Sequence, residues 1–194
     1  MSWLISLDHA LFLWVNTAWS NPGLDGFFLE VTALGAWPIV IVALAFLSAF
    51  PRAQFLRHLA VLVAFWVAGS ACNTVIKHAV DRDRPLTVFA ESGVEINALE
   101  HYRPKHFSFP SGHSFTAFFC MAYVGLVRRR IMPYALALAV LIGLSRVYVG
   151  AHFPLDCVGS AVLGIGWAWL AWRAYRTWQA RRGDSSAGEE TVPS

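Results

Sequence analysis

Residues 55–80 read FLRHLAVLVAFWVAGSACNTVIKHAV. After Arg57 and His58 no charged side chain appears until Lys77, and the intervening apolar run is long enough to cross a hydrocarbon layer as one helix. A run of that length decides the fold class, because a spanning segment must satisfy its own backbone hydrogen bonds and does so as an α-helix. Four more runs of this kind flank it, over residues 24–50, 111–127, 131–149 and 154–175. Gly35 and Pro38 mark an irregularity in the first of them, and the 111–127 run is short. The expectation is an all-α membrane protein, a bundle of five transmembrane helices within a single domain over residues 1–182.

Composition agrees with lipid as the main solvent. The chain of 194 residues is 57% hydrophobic and only 14% charged, where a soluble domain carries roughly 25% charged residues. Nine tryptophans suit anchoring at membrane–water interfaces. Cys72, Cys120 and Cys157 lie far apart, match no metal-ligand spacing and read as small apolar packing residues. No Lys or Arg precedes Arg52, which argues against a cleaved leader.

Residues 3–19 differ from the spans. Leu4, Leu7, Leu11, Trp14, Val15 and Ala18 follow helical spacing, but Asp8, His9 and Asn16 interrupt any uniform apolar surface. An interfacial amphipathic helix is the preferred reading, and a sixth span packed into the bundle is the alternative. At the other end, residues 183–194 are polar and acidic without apolar periodicity and read as a disordered tail.

The charges set an orientation. Arg52, Arg57, Arg128, Arg129, Arg130, Arg173, Arg176, Arg181 and Arg182 all fall at one end of the expected bundle. The positive-inside rule places that end, and the C-terminus, in the cytoplasm of a bacterial-type inner membrane. The remaining basic residues, Lys77, Arg82, Arg84, Arg103, Lys105 and Arg146, fall at the opposite, outward end. Positive charge there calls for an anionic partner. Arg146 is the extreme case, near the end of an apolar span, where an ionisable group is costly unless its head snorkels to the interface.

Three clusters meet at the outward end. Lys77 to Pro85 closes the second span and opens the long polar connection 81–110. Pro110-Ser111-Gly112-His113 opens the third span. Ser145, Arg146, His152 and Asp156 straddle the turn between the fourth and fifth. Lys77, Arg84 and Arg146 supply fixed cations, and guanidinium forks match phosphate oxygens. Ser111 and Gly112 precede a helix, so backbone N–H groups there can face an anion, and Gly112 has no side chain to block approach. His152 and Asp156 are one helical turn apart. A carboxylate on one ring nitrogen leaves the other free to attack, and His113 can protonate the leaving oxygen. His78, His101 and His106 read as loop or lining residues, His9 and His58 as structural ones. Asp81 and Asp83 read as partners of Arg82 or Arg84. Too few carboxylates, histidines or cysteines converge for a catalytic metal, and neither metal nor cofactor is expected.

Together these residues form the pattern Lys-x6-Arg-Pro, Pro-Ser-Gly-His and Ser-Arg-x5-His-x3-Asp, matched at every fixed position. The pattern resembles that of the type 2 phosphatidic acid phosphatase superfamily, which also holds the vanadium haloperoxidases. The resemblance implies that Lys77, Arg84, Ser111, Gly112 and Arg146 bind phosphate. It makes His152 the nucleophile, Asp156 its partner and His113 the general acid, with no metal. It further implies a lipid phosphatase whose partners are a lipid phosphate substrate and membrane lipids, with no nucleic acid. Undecaprenyl diphosphate is the first expectation, with phosphatidylglycerophosphate, phosphatidate and lipid A phosphates as alternatives. Phosphotransfer to another lipid and non-catalytic lipid binding or transport are readings of another kind.

Overall fold

A computed structural model of the chain describes residues 2–36, 38–99 and 105–189. The described residues form helices and connections, with no strand. The helices are α1 (Ser2–Leu13), extended by a π-helical turn at Trp14–Ala18, then α2 (Pro22–Leu34), α3 (Pro38–Leu47), α4 (Arg52–Val80) and α5 (Pro85–Ser92). They are followed by α6 (Gly112–Val127), α7 (Met132–Tyr148) and α8 (Pro154–Glu189).

Three of these are long and apolar enough to cross a membrane: α4, α7 with the turn before it, and α8 as far as Arg181. The run expected as one span over 24–50 is two helices, α2 and α3, bent by 60°. Pro38 accounts for the break, since its missing N–H cannot continue the α2 ladder. The α2 end is also pressed against α7, where a Cβ on Gly35 would lie 2.5 Å from Ile142.

Helix α6 spans 16 residues, about 24 Å at 1.5 Å per residue, short of the roughly 30 Å hydrocarbon layer. Its length and its uniform apolarity have one cause. It is the central post of the bundle, buried from Ser114 to Gly125 and packed by α3, α4, α7 and α8. A helix that is apolar all round belongs inside, and this one faces protein on every side. The α6–α8 approach is close enough that a Cβ on Gly164 would lie 2.8 Å from the Phe115 carbonyl oxygen, a small-residue contact common between membrane helices.

The first helix is amphipathic in the opposite sense to a helix floating on water. Trp3, Leu4, Leu7, Leu11 and Trp14 face outward, whereas Asp8 and Asn16 are buried against the bundle. Asn16 donates from Nδ2 to the carbonyls of Asn97 and Tyr148 and accepts from the Asn97 N–H. A buried amide needs such partners. These bonds tie the start of the chain to the 81–110 connection and to the end of α7.

The connection is itself structured. It carries α5, with Phe89 buried, and its Leu99 N–H donates to the Val149 carbonyl. Gly150 sits at φ +79 with Asn97 against it, a left-handed position where a side chain would collide. At the C-terminus α8 continues through residues 183–189 of the segment expected as a disordered tail, and residues 190–194 lie outside the described ones. The three cysteines are free, Cys120 and Cys157 buried and Cys72 half-buried.

The alternation of α4, α6, α7 and α8 places the three motif clusters at one end of the bundle. It brings Gln54, Arg129 and Arg176 together at the other.

Candidate active site

Asp156 is the hub. It lies in the first turn of α8, fully buried. One carboxylate oxygen accepts from the Phe153 N–H at 2.8 Å and from the Ser108 hydroxyl at 2.5 Å. The other accepts from Arg82 Nη1 at 2.6 Å. The bond back to the Phe153 N–H caps the helix, so this carboxylate has a structural role as well as a place beside the histidine. His152 Nδ1 is 3.7 Å from Asp156 Oδ2 and has no hydrogen-bond partner among the described residues. That separation is longer than a hydrogen bond. Catalytic contacts of this kind are often long without substrate and tighten in the complex.

His152 sits in the α7–α8 turn, 2% exposed. Its own N–H and that of Ala151 both donate to the Arg146 carbonyl, so the turn that carries the nucleophile candidate is fastened to the last turn of α7. Burial pushes its pKa down to about 3, with Asp156 opposing and Arg146 and Arg84 reinforcing the shift. That shift keeps the imidazole in its neutral form at ordinary pH.

The cations converge on this pair. Arg146, 2% exposed, donates from Nη1 to the Thr32 hydroxyl on α2 at 2.5 Å. Arg84 donates to the carbonyls of His106 and Ala151. Lys77 Nζ donates to the Phe107 carbonyl at 3.0 Å. Lys77 lies close enough to Arg84, Arg146 and Asp156 for their charges to act on it, and His152 to Arg146 and Arg84. Like charges held this close repel unless an anion sits among them.

Ser111 is fully buried and caps α6, its hydroxyl accepting from the Ser114 N–H at 3.4 Å. A Cβ on Gly112 would meet nothing within 4 Å, so the space over the helix start is open. That space belongs to a cavity of about 310 Å³ lined by Lys77, Gly112 and His113, which continues past Asn73 and Trp66 to Gly35. Asn73 is buried there, and its Oδ1 has no hydrogen-bond partner among the described residues.

Two residues of the site escaped the motif reading. Arg82 donates to Asp156 on one side and to Asp8 of α1 on the other, both at 2.6 Å, and both carboxylates are wholly buried. Asp8 also accepts from the Leu155 N–H at the start of α8. The guanidinium lies 4.4 Å from the centre of the Phe153 ring, on which His9 stacks. The expected pairing of Asp81 and Asp83 with Arg82 or Arg84 is corrected: Asp83 pairs with His106 at 2.7 Å, and Asp81 ends α4 in a left-handed turn. Arg82 prefers the buried carboxylates, where its charge is needed most. The sequence signal was present, since an acid inside an apolar helix is costly without a partner. His78 packs on Phe107, and His101 and Arg103 lie outside the described residues.

Removing the Arg82 bridge strands two buried carboxylates. Arg82→Leu is expected to lower stability by about 3–5 kcal/mol, read as a fall of several degrees in the thermal unfolding midpoint of detergent-purified protein. An unchanged midpoint would show that the bridge carries no weight.

Comparison with known proteins adds an independent line. The sequence pattern of the PAP2 superfamily matches residues 55–180. Phosphatidylglycerophosphatase B of Bacillus subtilis (strain 168) is 30% identical over 165 residues, covering 78% of this chain and 73% of that protein. The putative undecaprenyl-diphosphatase YbjG of Escherichia coli (strain K12) is 36% identical over 112 residues, 56% of this chain and 53% of that one. The crystal structure of Aquifex aeolicus LpxE superposes with a TM-score of 0.69 at 27% identity, over 84% of this chain and 93% of that one. Family match, shared fold and motif residues gathered around Asp156 lead to one assignment: the chain belongs to the PAP2 superfamily and is one of its membrane lipid phosphatases.

Proposed function

We propose that the protein hydrolyses a lipid diphosphate of the undecaprenyl type, without a metal, through a phosphohistidine on His152. The observation that carries this reading is the cavity beside His113. It is lined by Lys77 as well as by the general-acid candidate, and on this reading it takes the leaving group. A cation there favours a leaving group that itself bears phosphate.

Nε2 of His152 attacks phosphorus in line while Nδ1–H turns to Asp156, which steadies the imidazolium as it forms. The bond from phosphorus to the bridging oxygen breaks, and His113 gives its proton to that oxygen. Lys77, Arg84 and Arg146, with the N–H groups at the start of α6, hold the phosphoryl oxygens as charge builds on them. In the second step water gives a proton to His113 and attacks phosphorus. The P–N bond breaks, and inorganic phosphate leaves with His152 restored.

Hydrolysis of purified lipids tests the substrate. Undecaprenyl diphosphate is expected to exceed phosphatidylglycerophosphate, phosphatidate and lipid A in kcat/KM by at least about tenfold, the value of one well-placed interaction. A preference for a monoester would remove the diphosphate reading. The relatives' names, a phosphatidylglycerophosphatase and a putative undecaprenyl-diphosphatase, supply both alternatives.

The guanidinium and ammonium groups take the place that a divalent ion holds in other phosphoryl-transfer sites. Dialysis against EDTA is therefore expected to leave the rate unchanged. A loss restored only by a divalent cation would overturn metal independence.

The arginines at the opposite end support a site that faces away from the cytoplasm and a cytoplasmic C-terminus. A reporter fused after Ser194 should be active only in a cytoplasmic assay, and periplasmic activity would reverse the topology.

A further inference from the structure

We propose that the end of the bundle opposite the phosphate site holds a second, non-catalytic site, which binds the phosphate-bearing headgroup of an anionic membrane lipid. A cavity of about 410 Å³ opens there between the start of α4, the turn that joins α6 to α7 and the second half of α8. That volume falls within the roughly 300–1,000 Å³ of ligand pockets.

The lining is rich in donors. Arg129 and Arg176 supply guanidinium groups, and Gln54 and Gln179 add amides. Among the described residues no carboxylate lines the cavity, and residues 50–58, 126–131 and 172–182 contain no Asp or Glu. The walls are fixed by aromatic contacts. His58, 2% exposed, bonds through Nδ1 to the Tyr123 hydroxyl at 2.9 Å, and its ring stacks on Tyr175 at 3.9 Å. Arg176 lies over Trp172 at 5.4 Å, and Arg128, next to the cavity, over Phe50 at 4.8 Å.

An excess of cationic donors selects an anion, and the planar guanidinium forks favour phosphate. The apolar part of the lining selects the lipid over free phosphate. Phe50, Leu126 and Trp172 line the same space, where inorganic phosphate has nothing to offer them and a glycerophospholipid has its glycerol and first methylenes. The location agrees, because α4, α7 and α8 are long enough to span and their basic ends then lie at the headgroup level. A general preference for arginine at one membrane face explains the charge but not its arrangement around a concave aromatic floor.

The test measures binding of phosphatidylglycerol to the full-length protein in phosphatidylcholine nanodiscs, with inorganic phosphate as a separate arm. Arg129→Gln/Arg176→Gln is expected to weaken phosphatidylglycerol binding about thirtyfold, the loss of two direct guanidinium–phosphate contacts, while hydrolysis in pure phosphatidylcholine stays as in the wild type. Arg130→Gln/Arg181→Gln removes the same charge outside the cavity and is expected to leave binding within about twofold. Equal weakening by both pairs, or none by the first, overturns the site. Saturation by inorganic phosphate at the same arginines, with no gain from the lipid, overturns the lipid assignment. Should the first pair fail to fold, a headgroup-photoactivated phosphatidylglycerol on the wild type decides: labelling within residues 50–58, 126–131 and 172–182 supports the site, and labelling confined elsewhere contradicts it.

Discussion

Replacing His152 with alanine is expected to abolish phosphate release, by about 10⁵-fold or more, the scale seen when a covalent nucleophile is removed. The protein should still fold. The turn around residue 152 is held by backbone N–H groups donating to the Arg146 carbonyl, and these survive the substitution. Asp156 keeps its bonds from Ser108, Phe153 and Arg82. Phosphate release from lipid substrate, measured beside a thermal unfolding curve, separates loss of chemistry from loss of fold. Turnover within tenfold of wild type in a folded variant would end the nucleophile assignment. Burial explains why this imidazole can serve. It stays neutral far below the ordinary histidine range, so the attacking lone pair is available without a separate base. In the proposed mechanism Asp156 offsets the positive charge that appears on the ring after attack.

His113→Ala should show a different signature. A general acid contributes about 10²–10⁴-fold, and only where the leaving oxygen needs a proton. The variant should lose that factor on a lipid phosphomonoester, whose leaving group is an alkoxide, and less on the proposed lipid diphosphate, whose leaving group is itself a phosphate. It should lose little on p-nitrophenyl phosphate, whose leaving group departs as a stable anion. Kinetics on both substrates check the difference. Equal losses on the two would make His113 a binding residue for the phosphoryl group, placed like Lys77 in the same cavity.

Much of this architecture was readable because lipid imposes strong rules on sequence. The apolar runs give α4, α7 and α8 directly, and the arginines at their far ends sort the two ends of the bundle. The motif residues were legible for a related reason: charged side chains at the end of an apolar span stand out against their surroundings. Other features depend on what packs against what. Nothing local says that α6 is the enclosed post, since a lipid-facing helix and a protein-enclosed one can be equally apolar. Nothing local says that Asp8 reaches Arg82 across 74 positions or that Asn16 bonds to Tyr148. The spacing of the first helix fits an interfacial helix or one packed into the bundle and does not choose between them. Asp8 and Asn16 turn into the protein while Trp3, Leu4, Leu7, Leu11 and Trp14 stay exposed, a placement set by partners far along the chain. The 60° break between α2 and α3 was foreshadowed by Gly35 and Pro38, although nothing local shows that Gly35 lies against Ile142 of α7.

This arrangement ties α1 to the candidate site. Asp8 and Asp156 hold one guanidinium between the first helix and the last. The carboxylate beside His152 is therefore tied to the first helix through Arg82 and held in place by the Ser108 hydroxyl and the Phe153 N–H.

The central claim is that phosphorus is bonded to His152 during turnover. Substrate carrying ³²P in the transferred phosphoryl group, mixed with the enzyme and quenched in alkaline detergent, tests it directly. The expected result is labelled protein whose phosphate is stable to base, labile to acid and located on the peptide containing His152, with no label in His152→Ala. Turnover at the full rate with unlabelled protein, together with inversion of configuration at phosphorus, would mean that water attacks the substrate directly and would contradict the account.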